Sequence, residues 1–506
     1  MFRRKPSPGA ILAVVAFGVF VAADDLTVVS TMLRQIIFDL EIPLPAGLDQ
    51  AAWIVNAYLI AYVVVMPFIG RLSDIVGRRA VFMAALLLFL LGSIWAPLAG
   101  SLPSFIGARV LTALGGGAMV PVAMAVVGDV YGPQQRARAL GTLGAIDTAG
   151  WVWGPLYGAL LIRFLSWQWQ FYLNIPLALL GMALAWWALA DVPRPARRER
   201  IDWLGTAVLT ICLLSLNVAL LGSGDVQAAG GFAALDEGTG VNTTAWFGVA
   251  ALAFGLFVLV EGWLSRQPAN GRWPAPLINL HLFRRRNFNT AVLINFLVGS
   301  ILIIAMVNVP LLINILEFDA QTAALLSGFL LSGLTLSMAV MAYVGGRWTE
   351  KQGYRRVTAV GLGLCALGFG LMGWLWVVDT PYTQMAWQLA ILGAGFGLVT
   401  APIGTAVINA APADQRGIAS SLVIVLRLMG MSVGLAALTA WGLRRFAELR
   451  KFITLPDLPL TDPAYQRALA DGLTRVTVEV LTETFLISAL VAGVALLVAF
   501  LLRRDT

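Results

Sequence analysis

An all-α polytopic membrane protein with fourteen transmembrane helices is the fold class that this chain predicts, and three observations predict it. Of its 506 residues, 59% are hydrophobic and only 12% are charged, whereas a soluble domain is about a quarter charged. Apolar stretches of about 20 residues recur from end to end, each long enough to cross a hydrocarbon core of about 30 Å. When these stretches are counted off by alternation from a cytoplasmic N-terminus, most of the 34 Lys and Arg residues fall on the cytoplasmic side. That asymmetry is the positive-inside pattern, and it places both termini in the cytoplasm. It also accounts for the basic pI without nucleic acid as a partner.

The first stretch, 9–37, follows Arg3-Arg4-Lys5 and carries Val21-Ala22-Ala23. It mimics a cleavable signal peptide but reads as an uncleaved first helix, because acidic residues follow at once. Stretches 51–70 and 80–99 are joined by the charged, Gly-punctuated segment Gly70–Arg79, which must lie at the membrane face. The next three run over 104–127, 138–163 and 170–190. After the connector Asp191-Val-Pro-Arg-Pro195 come 202–222 and 245–264, then Arg266-Gln-Pro-Ala-Asn-Gly-Arg272, then 288–316, 324–346, 357–378 and 384–410. Segment 417–452 would span about 54 Å as one helix, well beyond the hydrocarbon thickness. Its partner, 465–502, continues an apolar stripe through Tyr465, Leu469, Leu473, Val476 and Val480, and Pro456, Pro459 and Pro463 mark the turn between them. A helical hairpin over about 440–480 is therefore expected to project beyond the extracytoplasmic face.

The chain repeats itself. Gly70, Asp74, Gly77, Arg78 and Arg79 are echoed by Gly346, Glu350, Gly353, Arg355 and Arg356, Gln135-Arg136 by Gln415-Arg416, and Pro121 by Pro402. Two related six-helix halves are expected at 1–190 and 288–506, with an inserted pair of helices and linkers at 191–287 between them.

The spacing Gly-x-Leu-x-Asp-x-x-Gly-Arg-Arg at 70–79 resembles the loop between the second and third helices of major facilitator superfamily transporters. Asp25-Leu-Thr-Val-Val29, Arg109-Val-Leu-Thr-Ala-Leu-Gly-Gly-Gly117, Gly150-Trp-Val-Trp-Gly-Pro155-Leu-Tyr-Gly158, Trp167–Pro176 and Asp202-Trp-Leu-Gly205 extend the resemblance to the fourteen-helix drug:proton antiporter branch. Thr31-Met-Leu-Arg34, Gly417-Ile-Ala-Ser420, Arg427 and Ala440-Trp-Gly-Leu443 bring the chain nearest to the branch's mycobacterial triacylglyceride exporters. Thr112 and Ala159 depart from the branch's usual Gln and Gly. The resemblance implies the major facilitator fold and a monomeric, proton-coupled exporter of lipids or other hydrophobic compounds. Multidrug efflux by drug:proton antiport is the alternative reading. The resemblance also implies membrane lipids and the proton as partners, together with an extracytoplasmic lipid-carrier lipoprotein of the LprG kind.

Ionisable groups within the apolar stretches cost several kcal/mol and are functional candidates. Asp25 lies about 24 Å along the first stretch, counting from its start, and Arg109 is placed at a similar depth. They are read as a pair that switches when Asp25 gains or loses a proton. Asp24 is read as facing the headgroups. Asp147 and Arg427 lie 280 positions apart, the same offset as Arg136 and Arg416, and are expected to face a cavity, joined either to each other or to partners in their own halves. Asp74 is expected to accept backbone N–H groups at a helix start and to pair with Arg78 or Arg138 as a cytoplasmic latch that also uses Gly70, Gly77 and Arg79. Gly150, Gly154 and Gly158, with Pro155, put a small-residue stripe on one helix face. Phe17, Trp53, Trp151 and Met338 are candidate cavity linings.

A membrane-bound lipid enzyme is the reading from another class. Against it, the single His281 sits in a basic loop, and no Ser/His/Asp set, metal cluster, cofactor motif or phosphate-cradling loop stands out. Cys212 and Cys365 lie far apart in apolar stretches and do not suggest a disulfide.

Overall fold

The computed structural model describes residues 6–42, 48–192, 200–221, 243–267, 274–317, 319–456, 459 and 462–502. Among them the regular structure is helical, with fourteen long helices: α1 (Pro8–Asp39), α2 (Leu48–Val76), α3 (Arg78–Trp95), α4 (Leu102–Val130), α5 (Pro133–Phe164), α6 (Gln168–Ala188), α7 (Trp203–Leu221), α8 (Thr243–Leu264), α9 (Arg286–Leu316), α10 (Ala320–Gln352), α11 (Tyr354–Leu375), α12 (Tyr382–Ala410), α13 (Arg416–Leu449) and α14 (Pro463–Ala499). Thirteen are long and apolar enough to cross a membrane. The exception, α5, carries Arg136, Arg138, Asp147 and Arg163.

Local chemistry sets several boundaries. Ser7 caps α1 by accepting the Ala10 N–H, with Pro8 at the first helical position, where its missing N–H costs nothing. Asp319 caps α10 through the Thr322 N–H, and Asp462 caps α14 through the Ala464 N–H. The segment 70–79, expected as a turn, is mostly helix: α2 runs on to Val76 and α3 starts at Arg78. Gly77 alone breaks the rod, at φ 109°. Its counterpart Gly353, at φ 77°, separates α10 from α11 in the same way. A side chain at either position would be strained.

Buried apolar residues gather in clusters. One draws chiefly on α1–α6 and a second chiefly on α9–α14, each with a few residues from elsewhere. A third lies at the far end of the first set, around Met32, Phe105 and Phe171. The sets meet along two crossings, α2 against α13 and α5 against α10. Both crossings are made of small residues. Gly70 lies against Gly417 and Ser421, and Gly346 lies against Ala137 and Gly141, which stand 280 positions before Gly417 and Ser421. Helices α7 and α8 pack on each other, and α7 also touches α2 and α13. Large apolar side chains such as Leu252 and Leu259 on α8 and Trp374 on α11 point outward, as a hydrocarbon solvent allows.

Helices α13 and α14 contain 34 and 37 residues, so they reach about 50 Å and 55 Å. Arg445 grips Glu483 with Nε and Nη2, each at 2.8 Å, and ties the two helices near the connection between them. Ile453 then folds against Gly472.

Candidate functional site

Three polar constellations stand out in this apolar frame. The first lies where α2, α3, α4 and α13 converge. Asp74 Oδ1 accepts the Gly417 N–H at 2.9 Å and Oδ2 accepts the Ile418 N–H at 3.1 Å. A carboxylate thus occupies the N-terminus of α13, where free N–H groups and the helix dipole favour an anion. Arg78 is paired to the same carboxylate at 2.6 Å and to Asp129 at 3.0 Å. Asp129 in turn accepts from Arg416 at 3.1 Å, and Arg71 donates to the Asp414 carbonyl. The backbones can approach this closely because Gly70 faces Gly417, and a Cβ at either would overlap the other's carbonyl.

Of the expected latch residues, Gly70, Asp74 and Arg78 meet at this junction and Gly77 supplies the break beside it. Arg79 lies elsewhere: it donates to the Trp186 carbonyl and stacks on that indole ring at 4.0 Å. Arg138 also stands apart, with its backbone against Gly346 at the α5–α10 crossing. Of the two partners expected for Asp74, Arg78 is the one that pairs with it. Glu350, the counterpart of Asp74, is exposed. A second link is formed by Arg136, which donates to Asn409 Oδ1 at 2.8 Å. The polar bonds joining the two helix sets cluster at this end, which is therefore closed.

The second constellation lies about 26 Å along α1, counting from its first residue. Arg109 Nη1 donates to Asp25 Oδ2 at 2.7 Å, with the two side chains 1% and 0% exposed. Arg109 Nη2 also donates to the Asp25 carbonyl, and Asn174 Nδ2 donates to Oδ1 at 3.1 Å. The Tyr58 ring lies 4.0 Å from the guanidinium carbon, a favourable place for a desolvated cation. The expected pair is thus a direct contact, enclosed by α1, α2, α4 and α6. Asp24 does not face headgroups. It is buried, and Gln170 Nε2 donates to its Oδ2 at 3.2 Å.

The third is a cavity between the two helix sets, lined by Val19, Tyr62, Asp147, Trp151, Thr400 and Arg427 among others. Its wall is mostly apolar, with one acid and one base. No ion pair joins Asp147 to Arg427 among the described residues. Arg427 instead donates to Asn295 on α9, within its own set, at 3.4 Å. Trp151 is the cavity candidate that reaches this wall. Phe17 packs against Gly181 on α6, and Met338 is buried in the core of the second set. Trp53 lines an apolar outer groove between α2 and α7, together with Trp203 and Trp246.

The stripe on α5 is a packing face. A Cβ on Gly150 would meet Ala23 and the Phe20 carbonyl, one on Gly154 the Thr27 hydroxyl and the Asp24 carbonyl, and one on Gly158 the Thr31 hydroxyl. It lets α5 lie directly on the part of α1 that carries Asp24 and Asp25. Pro155 falls within α5, and its side chain lies outside the described residues.

Sequence reasoning missed Asp129, Asn409, Gln170 and Asn295. Asp129 and Asn409 were within reach, since they stand at the same 280 offset that relates Arg136 to Arg416. Gln170 lies within the Trp167–Pro176 stretch that carried the family resemblance but was not singled out there, and Asn295 gave no signal.

A family model described as Major Facilitator Superfamily matches residues 15–435. The chain is 33% identical over 479 residues to a triacylglyceride transporter of Mycolicibacterium hassiacum, covering 92% of this chain and 85% of that one. It is 31% identical over 507 residues to a probable triacylglyceride transporter of Mycobacterium leprae, covering 96% and 94%. A Mycobacterium tuberculosis triacylglyceride transporter is 32% identical over 474 residues, covering 90% and 87%. Among solved structures, a double-Trp variant of XylE aligns with a TM-score of 0.64 at 14% identity, covering 99% of this chain and 96% of that one. The human organic anion transporter MFSD10 aligns with a TM-score of 0.60 at 14% identity, covering 96% and 100%. At such identities the structural likeness speaks for the fold alone.

Proposed function

The chain belongs to the major facilitator superfamily, and we propose that it is a proton-coupled secondary transporter that exports triacylglyceride-like lipids by alternating access. It is a multi-pass membrane transporter and not an enzyme. The observation that supports the lipid reading most is the similarity, along nearly the whole chain, to relatives named triacylglyceride transporters. The mostly apolar cavity suits such a cargo, since a sugar or amino-acid site needs several convergent donors and acceptors.

The Asp25–Arg109 pair supports coupling. Both groups are desolvated, so a proton on Asp25 would cancel the attraction that holds α1 to α4 and change which conformation is favoured. The closed end around Asp74, Asp129 and Arg416 belongs to the outward-facing phase of the cycle, and breaking those bonds opens the cytoplasmic side. Cargo enters from the inner membrane, with both chain termini in the cytoplasm. The long α13–α14 hairpin hands it to a lipid-carrier lipoprotein of the LprG kind, and the transporter itself acts as a monomer.

Purified protein in proteoliposomes tests this reading. Transfer of labelled triolein should accelerate when a pH gradient is imposed, and transfer of cationic dyes should not. Dye movement driven by the gradient, with triolein left in place, would reassign the protein to multidrug efflux.

A further inference from the structure

We propose that Asp24, the residue before the ion-paired Asp25, is the carboxyl that binds and releases the driving proton, and that Gln170 and Asn174 carry its state to the Asp25–Arg109 pair. This rests on the proton-coupled reading above but moves the driving proton from Asp25 to Asp24, so that the Asp25–Arg109 pair is loosened through Asn174 while Asp25 itself keeps its charge.

The two neighbouring acids are held differently. Asp25 has its charge matched: the Arg109 guanidinium lies on one oxygen at 2.7 Å and the Asn174 amide on the other at 3.1 Å. Asp24 is 7% exposed and has a single neutral side-chain donor, Gln170 Nε2 at 3.2 Å. Its other oxygen, Oδ1, is buried without a hydrogen-bond partner. The groups that face it are Asp25 on its own helix, Gln170 on α6 and the Tyr157 phenol on α5. No basic side chain faces it among the described residues. An ionised carboxyl held there lacks a cation and stands beside a second negative charge, so one proton relieves both costs.

Gln170 makes the same point from the other side. Its Oε1 is buried and also lacks a donor. Two touching side chains therefore each have an acceptor with nothing to accept from, and one added proton supplies the missing O–H. Once the amide turns over, the neutral Asp24 carboxyl donates to Gln170 Oε1. No covalent bond is made or broken; a proton from water on the extracytoplasmic side becomes the shared hydrogen. Gln170 Nε2 also lies 3.5 Å from Asn174 Oδ1, and Asn174 Nδ2 holds Asp25. Turning the first amide thus removes a donor from Asn174 and loosens its hold on Asp25. Side-chain networks of this kind polarise together in a low-dielectric site.

Infrared difference spectra of the full chain in nanodiscs, acidic against neutral, test the assignment without transport. A protonated-carboxyl band is expected in the wild type and should be lost in Asp24→Asn, a near-isosteric change whose folding is checked by melting temperature. Gln170→Leu removes no acid but should move that band to higher frequency, because the carboxyl loses its hydrogen bond. A band that survives Asp24→Asn, or ignores Gln170→Leu, overturns the assignment. In proteoliposomes, Asp24→Asn should lose the acceleration of triolein transfer by a pH gradient. If the wild type responds to the gradient and Asp24→Asn responds equally, the Asp24 assignment falls and coupled transport stands. If the wild type itself ignores the gradient, the coupled reading falls, and this proposal falls with it.

Discussion

Asp129 and Arg416, 3.1 Å apart, join α4 to α13 across the boundary between the two helix sets, and the repeat builds the same bridge a second time with a different chemistry. Arg136 stands where Arg416 does, 280 positions earlier, and Asn409 stands where Asp129 does, 280 positions later. Arg136 donates to Asn409 at 2.8 Å. One bridge is an ion pair and the other a hydrogen bond from a charged guanidinium to a neutral amide. The closed end is therefore clamped unequally, and among the described residues only the Asp129 bridge is extended, through Arg78, to Asp74 and the α13 N-terminus.

Asp129→Asn should weaken this end most, since it leaves Arg78 and Arg416 short of their shared carboxylate. Losing one partner of a desolvated pair costs about 3 kcal/mol. Spin labels on the ends of α2 and α13 that meet at this junction should report a longer distance than in the wild type. Asn409→Asp should act in the opposite sense, by about 1 kcal/mol, because it gives the Arg136 guanidinium a carboxylate in place of a neutral acceptor. Unchanged distances in both variants would separate these bonds from the closure.

Asp25→Asn should lower the melting temperature in detergent, because it leaves a guanidinium 1% exposed without its anion, at a cost of about 3–5 kcal/mol. The double variant Asp25→Asn with Arg109→Gln should regain most of that stability and still lack gradient-driven triolein transfer. A double variant that transports as the wild type does would reduce the pair to a structural tie.

Asp147→Asn and Arg427→Gln should be non-additive in melting temperature, with a coupling of about 0.5–3 kcal/mol. The two line one cavity with opposite charges, although Arg427 donates to Asn295 and no ion pair joins it to Asp147 among the described residues. Strict additivity would mean that the two charges act independently.

Gly154→Ala sets two effects against each other. Alanine favours a helix interior over glycine by about 0.5–1 kcal/mol, while overpacking costs about 1–3 kcal/mol. The new methyl would overlap the Thr27 hydroxyl and the Asp24 carbonyl, so the clash should win and the melting temperature should fall. At Gly248 a Cβ meets nothing within 4 Å, and Gly248→Ala should be neutral or slightly stabilising. A Gly154→Ala protein as stable as the wild type would show that α5 can move away from α1 at little cost.

The helices were legible because apolar length is a local property. The stretches expected at 104–127 and 384–410 are realised as Leu102–Val130 and Tyr382–Ala410. The Asp74–Arg78 pairing was legible in the segment after Gly70, but its secondary structure was misread as a turn because clustered charges and glycines look like a solvated connector. In the fold Asp74 and Arg78 find buried partners, so the helix continues to Val76. Asp24 misled for the same reason: only the approach of Gln170 from α6 makes a buried place for it. Phe17 and Met338 showed that a large apolar side chain carries no mark of whether it will meet a cavity or a neighbouring helix.

By itself the sequence determined which segments must leave water, which acids and bases must follow them inside, and that the chain is built as a repeat; each is a matter of local transfer cost or of spacing along the chain. Tertiary structure alone decided which buried charges touch. Asp25 meets Arg109 while Asp147 and Arg427 share a cavity wall without an ion pair among the described residues, although both pairs have opposite charges. The difference is one of helix rotation and closeness of approach, set by glycine faces and side-chain volumes spread over several helices, and no short stretch of chain contains it.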